Sequence, residues 1–180
     1  MGDSNLSIEN ALSLIRVIPD YPHKGILFQD ITPVLANPAA LKRVISELAF
    51  DNREFSHVAG IEARGFILAS ALALEIGAGF VPLRKGGKLP AAVFSRHYSL
   101  EYGVATLEIH QDALSSSHKV LLIDDVLATG GTIIAALQLI HDAGGTVDDV
   151  HVLMEITGLG GRAKIAELFP KVTIRSLVRV

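Results

Sequence analysis

Val120-Leu121-Leu122-Ile123 is four aliphatic side chains in a row, so a strand built from it must bury both of its faces. Such a strand belongs inside a parallel sheet with helices covering it on each side. Two acids, Asp124 and Asp125, follow where the strand is expected to surface. Ala128-Thr129-Gly130-Gly131-Thr132 then forms a loop of small residues rich in backbone N–H groups and hydroxyls. Ile133, Ala136, Leu137 and Ile140 recur at helical spacing, so the loop opens directly onto a helix N-terminus. Free amides, the positive end of the helix dipole and glycines that admit close approach together suit a phosphate monoester. Asp124 and Asp125 are acceptors placed for the paired hydroxyls of a ribose, and one sugar phosphate fits the whole segment. The Gly-Lys-Ser/Thr of an ATP-type loop and the Gly-x-Gly-x-x-Gly of a dinucleotide fold are both absent after this strand.

The rest of the chain supplies the sheet that this strand needs. Ile8, Ala11, Leu12 and Ile15 mark a first helix that must end by Pro19. Asp20 to Asn37 reads as loop with short extended pieces, and Asn37-Pro38 as a cap before the stripe Leu41, Val44, Ile45 and Leu48. His57 to Ile61 and Gly79 to Leu83 are strands flanking a small-residue helix from Gly65 to Gly77. Residues 91–110 form a hairpin with Leu107 and Ile109 on its inner face. A helix stop at Gly144-Gly145, a strand from Val147 to Met154, a helix from Arg162 to Phe169 and a strand from Val172 to Val178 complete the pattern. Alternating strands and helices predict an α/β fold, with a mainly parallel central sheet and helices on both faces. Sites in such sheets lie at the carboxyl ends of strands. Three loops start there: Glu62-Ala63-Arg64-Gly65, Arg84 to Pro90, and Asp124 to Thr132.

A length of 180 residues with 49% apolar and 19% charged side chains fits one globular domain with a sizeable core. A net charge of −3 without a basic run argues against a nucleic-acid surface. Cysteine is absent, which excludes disulfides, thiolate chemistry and Cys-ligated zinc. The seven histidines show no pair at metal-ligand spacing, and no segment approaches the ~20 apolar residues of a membrane span. A cytoplasmic protein is the expectation.

The Val120–Thr132 run resembles the signature of type I phosphoribosyltransferases, which bind 5-phosphoribosyl-1-pyrophosphate. Four further segments resemble the adenine phosphoribosyltransferase family in order and approximate spacing: Tyr21 to Ile31, Gly60 to Phe66, Arg84 to Pro90, and Tyr98 to Gly103. The resemblance implies one domain over 1–180, with about 1–35 and 155–165 forming a base-binding cap and 91–110 a flexible flap hairpin. It implies transfer of the phosphoribosyl group to adenine, giving AMP and pyrophosphate in purine salvage. Mg²⁺ would be carried mainly by the substrate pyrophosphate, and the enzyme would be a homodimer. Asp124 and Asp125 would hold the ribose hydroxyls, and Ala128, Thr129, Gly130, Gly131 and Thr132 the 5′-phosphate. Ala63, Arg64, Arg84, Lys85 and Lys88 would take the pyrophosphate, with a cis peptide expected at Ala63–Arg64. Glu101 would accept the purine proton, and Tyr102 would help a flap close. A closed flap keeps water from an oxocarbenium-like sugar.

Leu27, Phe28, Gln29 and Ile156 would contact adenine by the same resemblance. From composition alone, Leu27, Phe28 and Ile156 serve equally well as ordinary core. Read without the other motifs, Arg64 is a surface cation, and Arg84, Lys85 and Lys88 are a solvated loop. Three departures from the family pattern stand out. Gln29 replaces a common arginine, Gly86 replaces a bulkier residue and should loosen its loop, and Ser115 to His118 replaces a Pro-Gly turn. The rival activities are transfer to hypoxanthine or xanthine, and a non-catalytic regulator that senses 5-phosphoribosyl-1-pyrophosphate.

Overall fold

The computed structural model describes residues 6–49, 54–99 and 104–180, which cluster into two compact units, Met1–Phe50 and Asp51–Val180. In the first, Ser7 caps helix α1 (Ile8–Leu12) by accepting from the Asn10 N–H at 3.2 Å. The helix ends three residues short of Ile15. Arg16-Val17-Ile18 is instead extended in β1 (Arg16–Pro19), antiparallel to β2 (Leu27–Asp30). The β-branched Val17 and Ile18 and a cross-strand Arg16–Asp30 ion pair at 2.5 Å favour strand over a further helical turn. A short helix α2 (Thr32–Ala36) lies where loop was expected. Asn37 caps α3 (Pro38–Leu48) as anticipated, its side-chain oxygen accepting from the Ala39 and Ala40 N–H groups at 3.0 Å. Both short helices pack on α3, whose Ala40, Val44, Ile45 and Leu48 are buried.

The second unit is a seven-stranded sheet. Its strands are β3 (His57–Ile61), β4 (Gly79–Lys85), β5 (Val93–Ser99), β6 (Val104–His110), β7 (Lys119–Leu127), β8 (Thr146–Glu155) and β9 (Thr173–Arg179), in the order β5-β6-β4-β3-β7-β8-β9. β3, β4, β7, β8 and β9 are parallel, and of these seven strands β6 alone runs against them, antiparallel both to β4 and to its hairpin partner β5. Helix α4 (Arg64–Ile76) joins β3 to β4, α5 (Gly131–Asp142) joins β7 to β8, and α6 (Gly161–Leu168) joins β8 to β9. From the adjacent central strands, α4 crosses towards β4 and α5 towards β8. Right-handed crossovers in opposite directions put the two helices on opposite faces, as expected for an α/β sheet. The loops after β3 and β7 therefore diverge at the carboxyl edge, where such sheets bind ligands.

The packing explains why small residues were needed here. A Cβ on Gly60 would lie 2.6 Å from Ala69 Cβ, and one on Gly65 would lie 3.0 Å from Asp124 Oδ1. α4 thus sits nearly backbone-to-backbone on β3 and β7. Leu107 and Ile109 are fully buried, as the hairpin alternation anticipated. No helix among the described residues is long and apolar enough to cross a membrane.

Candidate active site

β7 is longer than its apolar run. It continues through both acids to Leu127 because β8 pairs beside it, Asp124 with Val152 and Val126 with Met154. Asp124 and Asp125 are consequently buried, at 8% and 6% exposure, rather than surfacing where the apolar run ends. Burial, and then the neighbouring Asp125, push the Asp124 carboxyl well above the ordinary carboxylate range. Asp125 is raised too, again by burial, although Arg64 pulls the other way from 2.7 Å. The Asp125 N–H donates to Asp124 Oδ1 at 2.9 Å, so the pair is locked together.

Residues 128–130 then turn the chain into α5. Gly130, at φ 82°, is in the left-handed conformation that a side chain resists, and its carbonyl accepts the first helical bond from Ile134. The amides of the first turn have no partner further back in the helix. Val126 to Gly130, Thr132 and Ile133 line a cavity of about 50 Å³ beside the acid pair. Ala128, Thr129, Gly130 and Thr132 thus share one cavity, which opens just after Asp124 and Asp125 along β7.

The β3–α4 turn forms a second edge at the carboxyl ends of the strands. Its cis peptide is Glu62–Ala63, one bond earlier than the expected Ala63–Arg64. Arg64 is already the first residue of α4, so the chain reverses before it. Glu62, which had no assigned role, proves central to this edge. Its carboxylate lies 3.3 Å from Arg84 Nε and 3.9 Å from Lys88 Nζ, and it accepts from the Lys85 N–H at 3.0 Å. Burial pushes the Glu62 carboxyl up, but these partners outweigh it and hold the group below its ordinary range. One acid thereby pairs with two cations of the 84–88 loop, Arg84 and Lys88, and holds the backbone of the third, Lys85. The Gly86 N–H donates to Thr106 O at 3.0 Å and the Gly87 N–H to Glu108 Oε2 at 2.9 Å, tying the loop to β6.

Leu27, Phe28 and Ile156 are not ordinary core. Leu27 is 61% exposed, and Phe28 and Ile156 are half-buried. Phe28 meets the Tyr21 ring edge-on at 5.1 Å, and Gln29 is half-buried on β2. Glu101 and Tyr102 lie outside the described residues.

A further cluster escaped the sequence reading entirely. Glu155, at the end of β8, is buried and accepts both Arg162 Nε at 2.8 Å and Arg162 Nη2 at 2.5 Å. Ser176 donates to it at 2.6 Å, and Arg179 Nε stands 3.2 Å away. These contacts, the Arg162 hydrogen bonds foremost, hold its carboxyl at about 2 against an ordinary 4.5. A depressed folded-state value adds stability above the unfolded value, and that stability is lost as pH falls towards the folded one. The melting temperature is therefore expected to drop between pH 4.5 and about 2, with a visibly flatter profile in Glu155→Gln. Identical acid profiles would show that the pair adds nothing to stability.

The phosphoribosyl transferase domain matches residues 30–171. The chain is 52% identical over 168 residues to the adenine phosphoribosyltransferase of Thermobifida fusca, covering 92% of this chain and 93% of that one. Among solved structures, the adenine phosphoribosyltransferase of Thermoanaerobacter pseudethanolicus superposes with a TM-score of 0.91 at 46% identity, covering 97% of this chain and 100% of that one. The Giardia lamblia APRTase complexed with 9-deazaadenine gives 0.91 at 41% identity, covering 98% and 99%.

Proposed function

The chain belongs to the phosphoribosyl transferase family, among its adenine phosphoribosyltransferases, and on that premise we propose how its own residues carry the transfer. The reaction joins adenine to the phosphoribosyl group of 5-phosphoribosyl-1-pyrophosphate, giving AMP and pyrophosphate. The observation that carries the residue assignment is the socket at the end of β7. Gly130 opens α5 directly beside two buried carboxylates.

The 5′-phosphate sits on the amides and hydroxyls of residues 128–132, where charge-assisted hydrogen bonds are strongest. Asp124 and Asp125 take the ribose hydroxyls. Arg64, Arg84, Lys85 and Lys88 receive the pyrophosphate, with the Ala63 turn beneath it. With both ends of the substrate held, the C1–oxygen bond to pyrophosphate breaks as the adenine ring nitrogen attacks C1. Glu101 accepts the proton that this nitrogen releases, and Tyr102 helps close the flap. Leu27, Phe28 and Ile156 offer apolar surface to the purine faces, and backbone groups near Leu27 and Gln29 read its amino edge. Placement and charge stabilisation supply most of the acceleration, because proton transfer alone is worth about 10²–10⁴ in rate.

Mg²⁺ fits this site as a substrate-borne ion. The acid pair provides hard oxygen donors beside the ribose, and one or two carboxylates are enough for an ion that arrives on phosphate oxygens. Bound with the substrate, it would neutralise charge on the leaving pyrophosphate.

A homodimer is supported by α4. Leu74 is 85% exposed and Ile67, one heptad before it on the same helix face, 43%, with Phe80 of β4 at 37%, apolar side chains that a second copy would cover. Sedimentation should find a dimer that Leu74→Glu weakens by at least about tenfold. A wild-type monomer at micromolar concentration would overturn this.

The base is tested by offering adenine, hypoxanthine and xanthine separately with 5-phosphoribosyl-1-pyrophosphate and Mg²⁺. AMP should form with adenine, with turnover of the 6-oxopurines lower by orders of magnitude. Product from a 6-oxopurine, without AMP from adenine, would reverse the assignment. Binding of 5-phosphoribosyl-1-pyrophosphate without turnover of any base would point to a regulator.

A further inference from the structure

The phosphate loop leans on a neighbour that contacts no substrate in the scheme above. A Cβ placed on Gly130 would lie 2.9 Å from Gly161 O. One placed on Gly161 would lie 2.8 Å from Gly130 N and would overlap Ala128 O. The two backbones therefore touch with no side chain between them, and the start of α6 forms the rear wall of the 128–130 turn.

α6 is held in that place by the Glu155 cluster. Arg162, the residue after Gly161, grips Glu155 with both arms of its guanidinium and also donates to Ile174 O and Ser176 Oγ, each at 2.8 Å. Glu155 pairs in register with Leu127, and the Ile156 N–H donates to Leu127 O at 2.9 Å. The connections close a ring: the end of β7, Glu155, Arg162, Gly161, and back to the loop that leaves β7. A fork bonded at four points has no freedom to swing, so α6 cannot retreat when the loop presses on it.

We propose that Gly161, fixed by the Arg162–Glu155 pair, is a positioning residue that aims the 128–130 amides at the substrate's 5′-phosphate. This rests on the phosphate assignment under "Proposed function". A displacement of about 1 Å at a substrate-holding group costs on the order of 10²-fold in rate. An added methyl at Gly161 must displace the loop by a comparable amount, because the atoms it meets are backbone.

Steady-state kinetics of Gly161→Ala, with calorimetric titration of ribose 5-phosphate, test the proposal. KM for 5-phosphoribosyl-1-pyrophosphate and Kd for ribose 5-phosphate are expected to rise by about 30-fold or more, with KM for adenine within about threefold. Arg162→Lys keeps the charge but loses the fork, and should raise the same two constants by about three- to tenfold. A lower melting temperature with unchanged KM and Kd in either variant would make the contact merely structural and overturn the proposal. If Gly161→Ala does not fold, Arg162→Lys decides alone by the same constants. Failure of the wild type to bind ribose 5-phosphate would instead sink the phosphate assignment itself.

Discussion

Gly130→Ala is expected to lower kcat/KM for 5-phosphoribosyl-1-pyrophosphate by at least about a hundredfold. Two independent costs combine at this position. Gly130 sits at φ 82°, where a side chain costs about 1–2 kcal/mol. Its Cβ would also face Gly161 O at 2.9 Å, a backbone atom pinned through Arg162 and Glu155. Relief of either strain moves the amides that hold the phosphate. Those bonds join N–H groups to an anion and are worth about 1.5–3 kcal/mol each, so losing one or two reaches the stated fold-change. Steady-state kinetics check it, with circular dichroism to confirm folding. Activity within threefold of wild type would show that the phosphate is held elsewhere.

Glu101→Gln should cut kcat by about 10²–10⁴, the range typical of a positioned proton acceptor. Glutamine keeps the size and polarity of the side chain but cannot take the purine proton. Binding of the sugar phosphate uses other residues, so Kd for 5-phosphoribosyl-1-pyrophosphate should stay within a few-fold. Single-turnover kinetics separate the two quantities. Unchanged turnover would remove Glu101 from the reaction, whereas an equal loss in binding would make it a substrate ligand.

The central strand and its loop were legible because each part carries a local signal. A both-face apolar run, glycines at the turn and a 3.6-residue apolar period need no tertiary information. The burial of Asp124 and Asp125 was not legible, because adjacent acids ordinarily mark a strand end. Here the pairing of β8 and the seating of Gly65 against Asp124 cover them. Glu62 and Glu155 were missed for the same reason. The Glu62 partners lie twenty-two to twenty-six residues on, at and just after the end of β4, and those of Glu155 lie seven to twenty-four residues away across α6 and β9. The bond from the Gly86 N–H to β6 was likewise invisible in the sequence, because it appears only once β4 and β6 pair. The Arg16–Pro19 strand was hidden by its brevity, with four residues beside a helix of the same scale and a proline that suits either boundary.

A crystal structure of the protein with AMP tests the central claim most directly. The account predicts phosphate oxygens within hydrogen-bonding distance of the amides from Thr129 to Thr132, with the ribose hydroxyls turned towards Asp124 and Asp125. AMP bound with its phosphate away from Gly130 would contradict it.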